Sequence, residues 1–256
     1  MNHFIISYAG NKRKEYKELK KVINLDGVLN IIEPFCGSSA ISFNIWKEHG
    51  NKYNYYLNDK SKELMNLYDL MKTESPEHIE EEINKIKDII FNKDDYLKIY
   101  KKINPTIYEY IYYNRYRSFR VGLFNESKCL TKSPFKLNKI QLDFIDFIKS
   151  PNVFITNNSW EVLFDQYKND ENSFFMLDPP YMLSENGFYG EKSLNVYEYF
   201  YENPLNMFLM FKSRIYLMLE NNWIIKLLFK DFLIHEYSKM YNITHKKTTH
   251  IIIKND

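Results

Sequence analysis

Ser173 to Leu177 read SFFML, and the next four residues are Asp-Pro-Pro-Tyr. A short apolar run of this kind suits a strand buried on both faces. The strand must stop at Asp178, because a central strand accommodates neither an unpaired carboxylate nor, at Pro179 and Pro180, residues without an N–H. The chain therefore needs a covered sheet with an acid at its carboxyl edge, where open α/β sheets bind their ligands.

Other segments supply the rest of that sheet. VLNIIEPF, YNYYLND, NVFITN and NWIIKLLF, with THIIIKN near the C-terminus, read as further short strands of a mostly parallel sheet. Between the first two lies SSAISFNIWKEHG, whose apolar spacing and closing glycine predict a helix and its stop. SKELMNLYDLMK predicts another after the second strand. Strand and helix thus alternate, as in a doubly wound, Rossmann-like α/β core.

From about residue 73 to 150 the pattern becomes helical. SPEHIEEEINKIKDII carries a serine cap, an early proline and acids in its first turn, and KDDYLKIYKKI and PTIYEYIYYNRYRSF continue in the same style. A hairpin is expected only around RVGLFNESKCLTKSPF. The division expected is a core of residues 1–72 and 151–256 with a mostly helical insertion at 73–150.

Charge is uneven along the chain. Of a net +2, the stretch from Asn114 to Lys139 carries +6, from seven basic residues against Glu126, which leaves −4 elsewhere. Such a segment suits a polyanion, since phosphate contacts supply most nonspecific nucleic-acid affinity. A solvated, lysine-rich loop is the plainer reading of a charge run alone. Two cysteines without C-x-x-C spacing point to a reducing, cytoplasmic setting and no disulfide framework. No run of about eighteen apolar residues exists to span a membrane. The six histidines show no metal-ligand spacing, so no metal is expected, and His245 and His250 should flank a terminal hairpin.

Two loops complete the candidate site. EPFCGSS, Glu33 to Ser39, joins the first strand to the first helix, and Gly37 allows a ligand to approach the backbone closely. One glycine is too few for a dinucleotide fingerprint. Asp59, twenty-two residues after Gly37, ends the second strand where a carboxylate can accept from the ribose hydroxyls of an adenosine-containing cofactor. An ordinary turn followed by an Asn-Asp helix cap explains these two features equally well. Asp-Pro-Pro-Tyr separates the readings. Asp178 and the Pro179 carbonyl can accept both hydrogens of an exocyclic amine, freeing its lone pair for an electrophilic methyl group, while Tyr181 stacks on the base.

In order, YAGNK, EPFCGS, LND and DPPY resemble the motifs of the Dam-like (α-class, D12 type) DNA adenine-N6 methyltransferases, over nearly the whole chain. The resemblance implies a class I methyltransferase sheet and S-adenosylmethionine as cofactor. Tyr8, Ala9, Gly10, Phe35, Gly37, Ser38 and Asp59 would line the cofactor site, with Ser159 and Trp160 beside its adenine ring and Asp178 at its border. Asp178, Pro179, Pro180 and Tyr181 would form the catalytic pocket. Lys12 would face the DNA or target base, and Arg117, Arg120 and Pro134 would contact double-stranded DNA. A monomer or weak dimer is expected. Ser39 stands where many relatives have a second glycine, and the expected hairpin matches the family's recognition hairpin only loosely. An RNA adenine methyltransferase and a noncatalytic nucleic-acid-binding subunit of the same fold are the alternatives.

Overall fold

A computed structural model describes residues 2–8, 12–118, 123–179, 208, 210–240 and 247–255. Among them one sheet contains β1 (Asn30–Glu33), β2 (Asn54–Asn58), β3 (Val153–Thr156), β4 (Ser173–Leu177), β5 (Arg214–Glu220), β6 (Leu233–Met240) and β7 (Lys247–Lys254), in the order β3-β2-β1-β4-β5-β7-β6. The pairs β1/β2, β1/β4 and β4/β5 are parallel, and β7 is antiparallel to both β5 and β6. The fold is therefore the Rossmann-like α/β class, with a terminal antiparallel hairpin. No described helix is long and apolar enough to cross a membrane.

The chain divides into two compact units, residues 1–11 with 61–157, and residues 12–60 with 158–256. The first is chiefly helical: α3 (Lys62–Thr73), α4 (Pro76–Lys87), α5 (Lys93–Tyr100), α6 (Ile107–Tyr116), α7 (Glu126–Cys129) and α8 (Lys139–Lys149). Its helices start where polar side chains can take the first free N–H groups. Ser61, Ser75 and Asn92 cap α3, α4 and α5, and reciprocal capping boxes open α6 at Thr106/Glu109 and α8 at Asn138/Gln141. Leu64, Leu67, Tyr68 and Met71 of α3 are buried, as are Phe144, Ile145, Phe147 and Ile148 of α8. Phe4, Tyr68 and Phe144 meet ring to ring, and Gln141 Nε2 donates to Phe4 O at 3.1 Å.

The second unit holds α1 (Tyr16–Leu19), α2 (Ala40–His49), α9 (Trp160–Tyr167) and α10 (Trp223–Leu228). Every residue of β4 is buried. Ile32, Phe175, Leu177, Ile215, Leu217, Ile251 and Ile253 form one core with Trp160, Leu163 and Phe164 of α9 and Ile225 and Phe229 at α10. Each large side chain so buried contributes about 1.5–3 kcal/mol of transfer free energy, which fixes the strand register and with it the order of the strand ends. On α2, Gly50 ends the helix at φ 60°, with its N–H bonded to Trp46 O.

Three expectations need correction. NWIIKLLF is not a strand: Asn222 Oδ1 accepts from Ile225 N at 2.9 Å and starts α10, while the strand is the preceding RIYLMLE of β5. No strand forms among the described residues of the expected hairpin, where Asn125 caps the single turn α7. His250 does not flank the terminal hairpin but lies inside β7, opposite Tyr237 of β6, and His245 is outside the described residues.

Candidate active site

The registers of β1 against β2 and β4 bring their carboxyl ends side by side, so the loops after them share one edge of the second unit. After β1, Gly37 takes φ 48° and Ser39 φ 46°, left-handed backbone that costs a serine more than a glycine. This sharp turn aims the Gly37 N–H at Asp59 Oδ2, 3.0 Å away, while Cys36 N donates to Asn58 O at 2.8 Å. Gly37 and Asp59 are thus directly bonded. Asp59 does not cap the following helix, because Ser61 does so by accepting from Leu64 N at 3.3 Å. Ser38 is buried within the turn.

Asn58 ties this turn to the loop before α9. Its Nδ2 donates to Pro34 O and Asn158 O, both at 3.1 Å, and its Oδ1 accepts from Asn158 N at 2.8 Å. The tie places Ser159 and Trp160 at the start of α9 beside the turn. Phe35 and Trp160 lie with ring centroids 6.1 Å apart at 38°, and Ser159 Oγ donates to the Glu161 carboxylate.

Glu33, the last residue of β1, does what Ser39 does not. The Ser39 side chain makes no cap bond, and Glu33 Oε1 instead accepts from Ser42 N at 2.6 Å, in the first turn of α2. Burial pushes the Glu33 carboxyl up to about 7, against the opposing hydrogen bonds from Ser42 and with a further push from the charge of Asp178.

Asp178 follows the last residue of β4 directly, as the apolar run requires, and Pro179 is buried behind it. Lys12 Nζ donates to Asp178 Oδ2 in an ion pair. Burial alone would lower the lysine's pKa, but Asp178 and Glu15 outweigh it and hold Lys12 above its ordinary range. A protonated lysine and the strand-end acid therefore form one unit.

Of the candidate residues, Phe35, Gly37, Ser38, Asp59, Ser159, Trp160, Asp178, Pro179 and Lys12 fall in the second unit. Tyr8 belongs to the first, edge-on to Phe4 with centroids 5.8 Å apart. Arg117 and Pro134 are also in the first unit, Arg117 half-buried just after α6 and Pro134 exposed. Ala9, Gly10, Arg120, Pro180 and Tyr181 lie outside the described residues. The sequence reading missed Glu33 and Asn58 as working parts, although both stand inside quoted motifs. It also missed Glu15 and Lys239, which are paired with each other near Lys12. Among the described residues no group of acids, histidines and cysteines could hold a metal ion.

The carboxyl edge of this Rossmann-like α/β sheet thus carries a glycine turn bonded to an acid and a strand-end Asp-Pro held by a lysine. The match to the model of the D12 class N6 adenine-specific DNA methyltransferases spans residues 8–243, and the chain belongs to that family. No curated protein matches it.

Proposed function

We propose that the protein transfers a methyl group from S-adenosylmethionine to the N6 amine of an adenine flipped out of double-stranded DNA. The observation that carries this reading is the meeting, at one sheet edge, of the Gly37–Asp59 bond and the Lys12–Asp178 pair in a chain of this family.

The residues present fit the cofactor. Asp59 offers a carboxylate to ribose hydroxyls, Gly37 leaves room for close approach, and Phe35 with Trp160 provides an aromatic wall for an adenine ring. Ser38 and Ser159 are assigned to the same cofactor, as are Tyr8, Ala9 and Gly10. The sulfonium supplies the electrophilic methyl. Asp178 and the Pro179 carbonyl accept the two amine hydrogens, and Pro180 and Tyr181 are assigned to the same pocket, Tyr181 as the ring that stacks on the flipped base. Held this way by Asp178 and the Pro179 carbonyl, the amine would keep its lone pair out of the ring and directed at the methyl that bound S-adenosylmethionine would supply, and would release its extra proton to solvent after the transfer. The two acceptors matter most when the nitrogen turns tetrahedral and positive. Lys12 holds the Asp178 carboxylate in place through their ion pair. Residues 73–150 are assigned to target recognition, with Arg117, Arg120 and Pro134 as DNA contacts.

Incubation with methyl-labelled S-adenosylmethionine and plasmid DNA, followed by mapping of the modified base, tests the reading. It predicts N6-methyladenine at a fixed short sequence. Label on RNA alone, or none on adenine, would overturn it.

A further inference from the structure

Counting Asp178, four charged side chains here alternate in sign. Lys12 pairs with Asp178, and Lys239 of β6 pairs with Glu15. Side-chain exposure is 23% at Asp178 but only 9% at Lys12, 3% at Glu15 and 15% at Lys239. Glu15 sits three residues after Lys12, on the turn closed by Tyr16 N to Lys12 O at 3.1 Å, and its charge acts on Lys12 as that of Asp178 does. Lys12 thus bonds one carboxylate, Asp178, and feels the charge of a second, Glu15.

What occupies Glu15 comes from the edge of the sheet. Alternate residues of a strand share a face, so His235 and Lys239 of β6 point the same way. His235 Nε2 lies 3.2 Å from Glu18 Oε2, and Lys239 takes Glu15, so β6 engages two acids of the Lys12–Leu19 segment. A carboxylate buried as deeply as Glu15 requires a cationic partner. With Lys239 on Glu15, Lys12 is left to Asp178; without Lys239, Glu15 would draw Lys12 away.

We propose that Lys239 is a positioning residue for methyl transfer: by occupying Glu15 it commits Lys12 to Asp178, and so fixes the aim of the carboxylate that receives the amine. The inference rests on the methyl-transfer reading of Asp178, and the test separates the two. In single-turnover transfer from labelled S-adenosylmethionine to an adenine-containing duplex, Lys239→Met in the full chain should slow transfer at least about tenfold, with cofactor affinity by calorimetry within about twofold. Lys239→Arg should stay within about threefold of wild type. The decisive variant adds Glu15→Gln to Lys239→Met: with the competing charge gone, the rate should return to within about threefold of wild type. Lost packing alone would not be repaired by removing a second charge. If Lys239→Met alone does not fold, this double variant, which buries no unpaired carboxylate there, carries the kinetic test. A crystal structure of Lys239→Met, or of Lys239→Gln should that first variant not fold, should show Lys12 turned to Glu15. An unchanged rate in Lys239→Met, no recovery on adding Glu15→Gln, or Lys12 still on Asp178 would overturn the proposal. If the wild type methylates no adenine while Lys12 moves as stated, the substrate reading fails and the choice of partner set by Lys239 stands.

Discussion

Asn58 is 1% exposed and makes hydrogen bonds to Pro34, to the Asn158 carbonyl and from the Asn158 N–H, so one side-chain amide fixes two loops at the sheet edge. Asn58→Ala would strand the buried Pro34 carbonyl and remove two part-buried bonds to Asn158, a loss of roughly 2 kcal/mol or more at about 1–3 kcal/mol for the stranded group and about 0.5–1.5 kcal/mol for each of the others. Urea unfolding of wild type and variant measures it. A difference below about 1 kcal/mol would mean that the loops are held by their own turns. The same substitution should weaken S-adenosylmethionine binding in calorimetry, because Trp160 and the Gly37 turn would no longer be held to a common frame.

At the scale of elements, β1 and α2 are joined by Glu33, whose carboxyl accepts from Ser42 N and is pushed from 4.5 up to about 7 by burial. A carboxyl with a raised native pKa binds its proton more tightly folded than unfolded. Its contribution is complete below the unfolded value and is lost as pH rises through the native one. Stability should therefore fall between about pH 5 and 7 by at most about 3 kcal/mol. Glu33→Gln, which keeps the acceptor for Ser42 N, should flatten that window in denaturant melts at successive pH values. An identical slope in the variant would place the pH dependence elsewhere. The sequence showed the strands with continuous apolar runs, β1, β2, β3, β4 and β7, and the helices with polar caps, because burial on both faces and capping leave local marks. WIIKLL carried no such mark: a six-residue apolar run reads alike as strand or helix, and Asn222 tipped it to helix. LIHEYSKM of β6 mixes charges into an edge strand whose partners, Glu15 and Glu18, are remote in sequence. For the same reason the motifs placed Asp59 and Asp178 at strand ends, but did not show what Glu33, Asn58 or Lys239 bond to, which depends on what folds against them.

At the scale of the whole molecule, the basic segment from Asn114 to Lys139 carries +6 in sequence, yet several of its charges are used within the first unit. Arg115 donates to Ile5 O at 2.7 Å and lies 4.6 Å over the Phe135 ring, and Lys136 pairs with Glu80 at 2.6 Å. Lys87 bonds the carbonyls of Thr131 and Ser133, which shapes the loop between α7 and α8. Lys128 and Lys132 are exposed on either side of that loop's start. If they meet phosphates, Lys128→Ala and Lys132→Ala should each reduce the slope of log affinity for duplex DNA against log salt by about 0.9, with little change in stability. Arg115→Ala should instead destabilise the unit. Unchanged slopes would return the loop to a solubilising role. The central claim, that the strand-end carboxylate is the acceptor for the amine, is tested most directly by Asp178→Asn, which keeps the shape and removes the charge. Single-turnover methylation of an adenine-containing duplex should fall at least about a hundredfold, while S-adenosylmethionine affinity stays within a few-fold, since the lost interaction strengthens only in the transition state. Methylation by Asp178→Asn within about threefold of wild type would contradict the account.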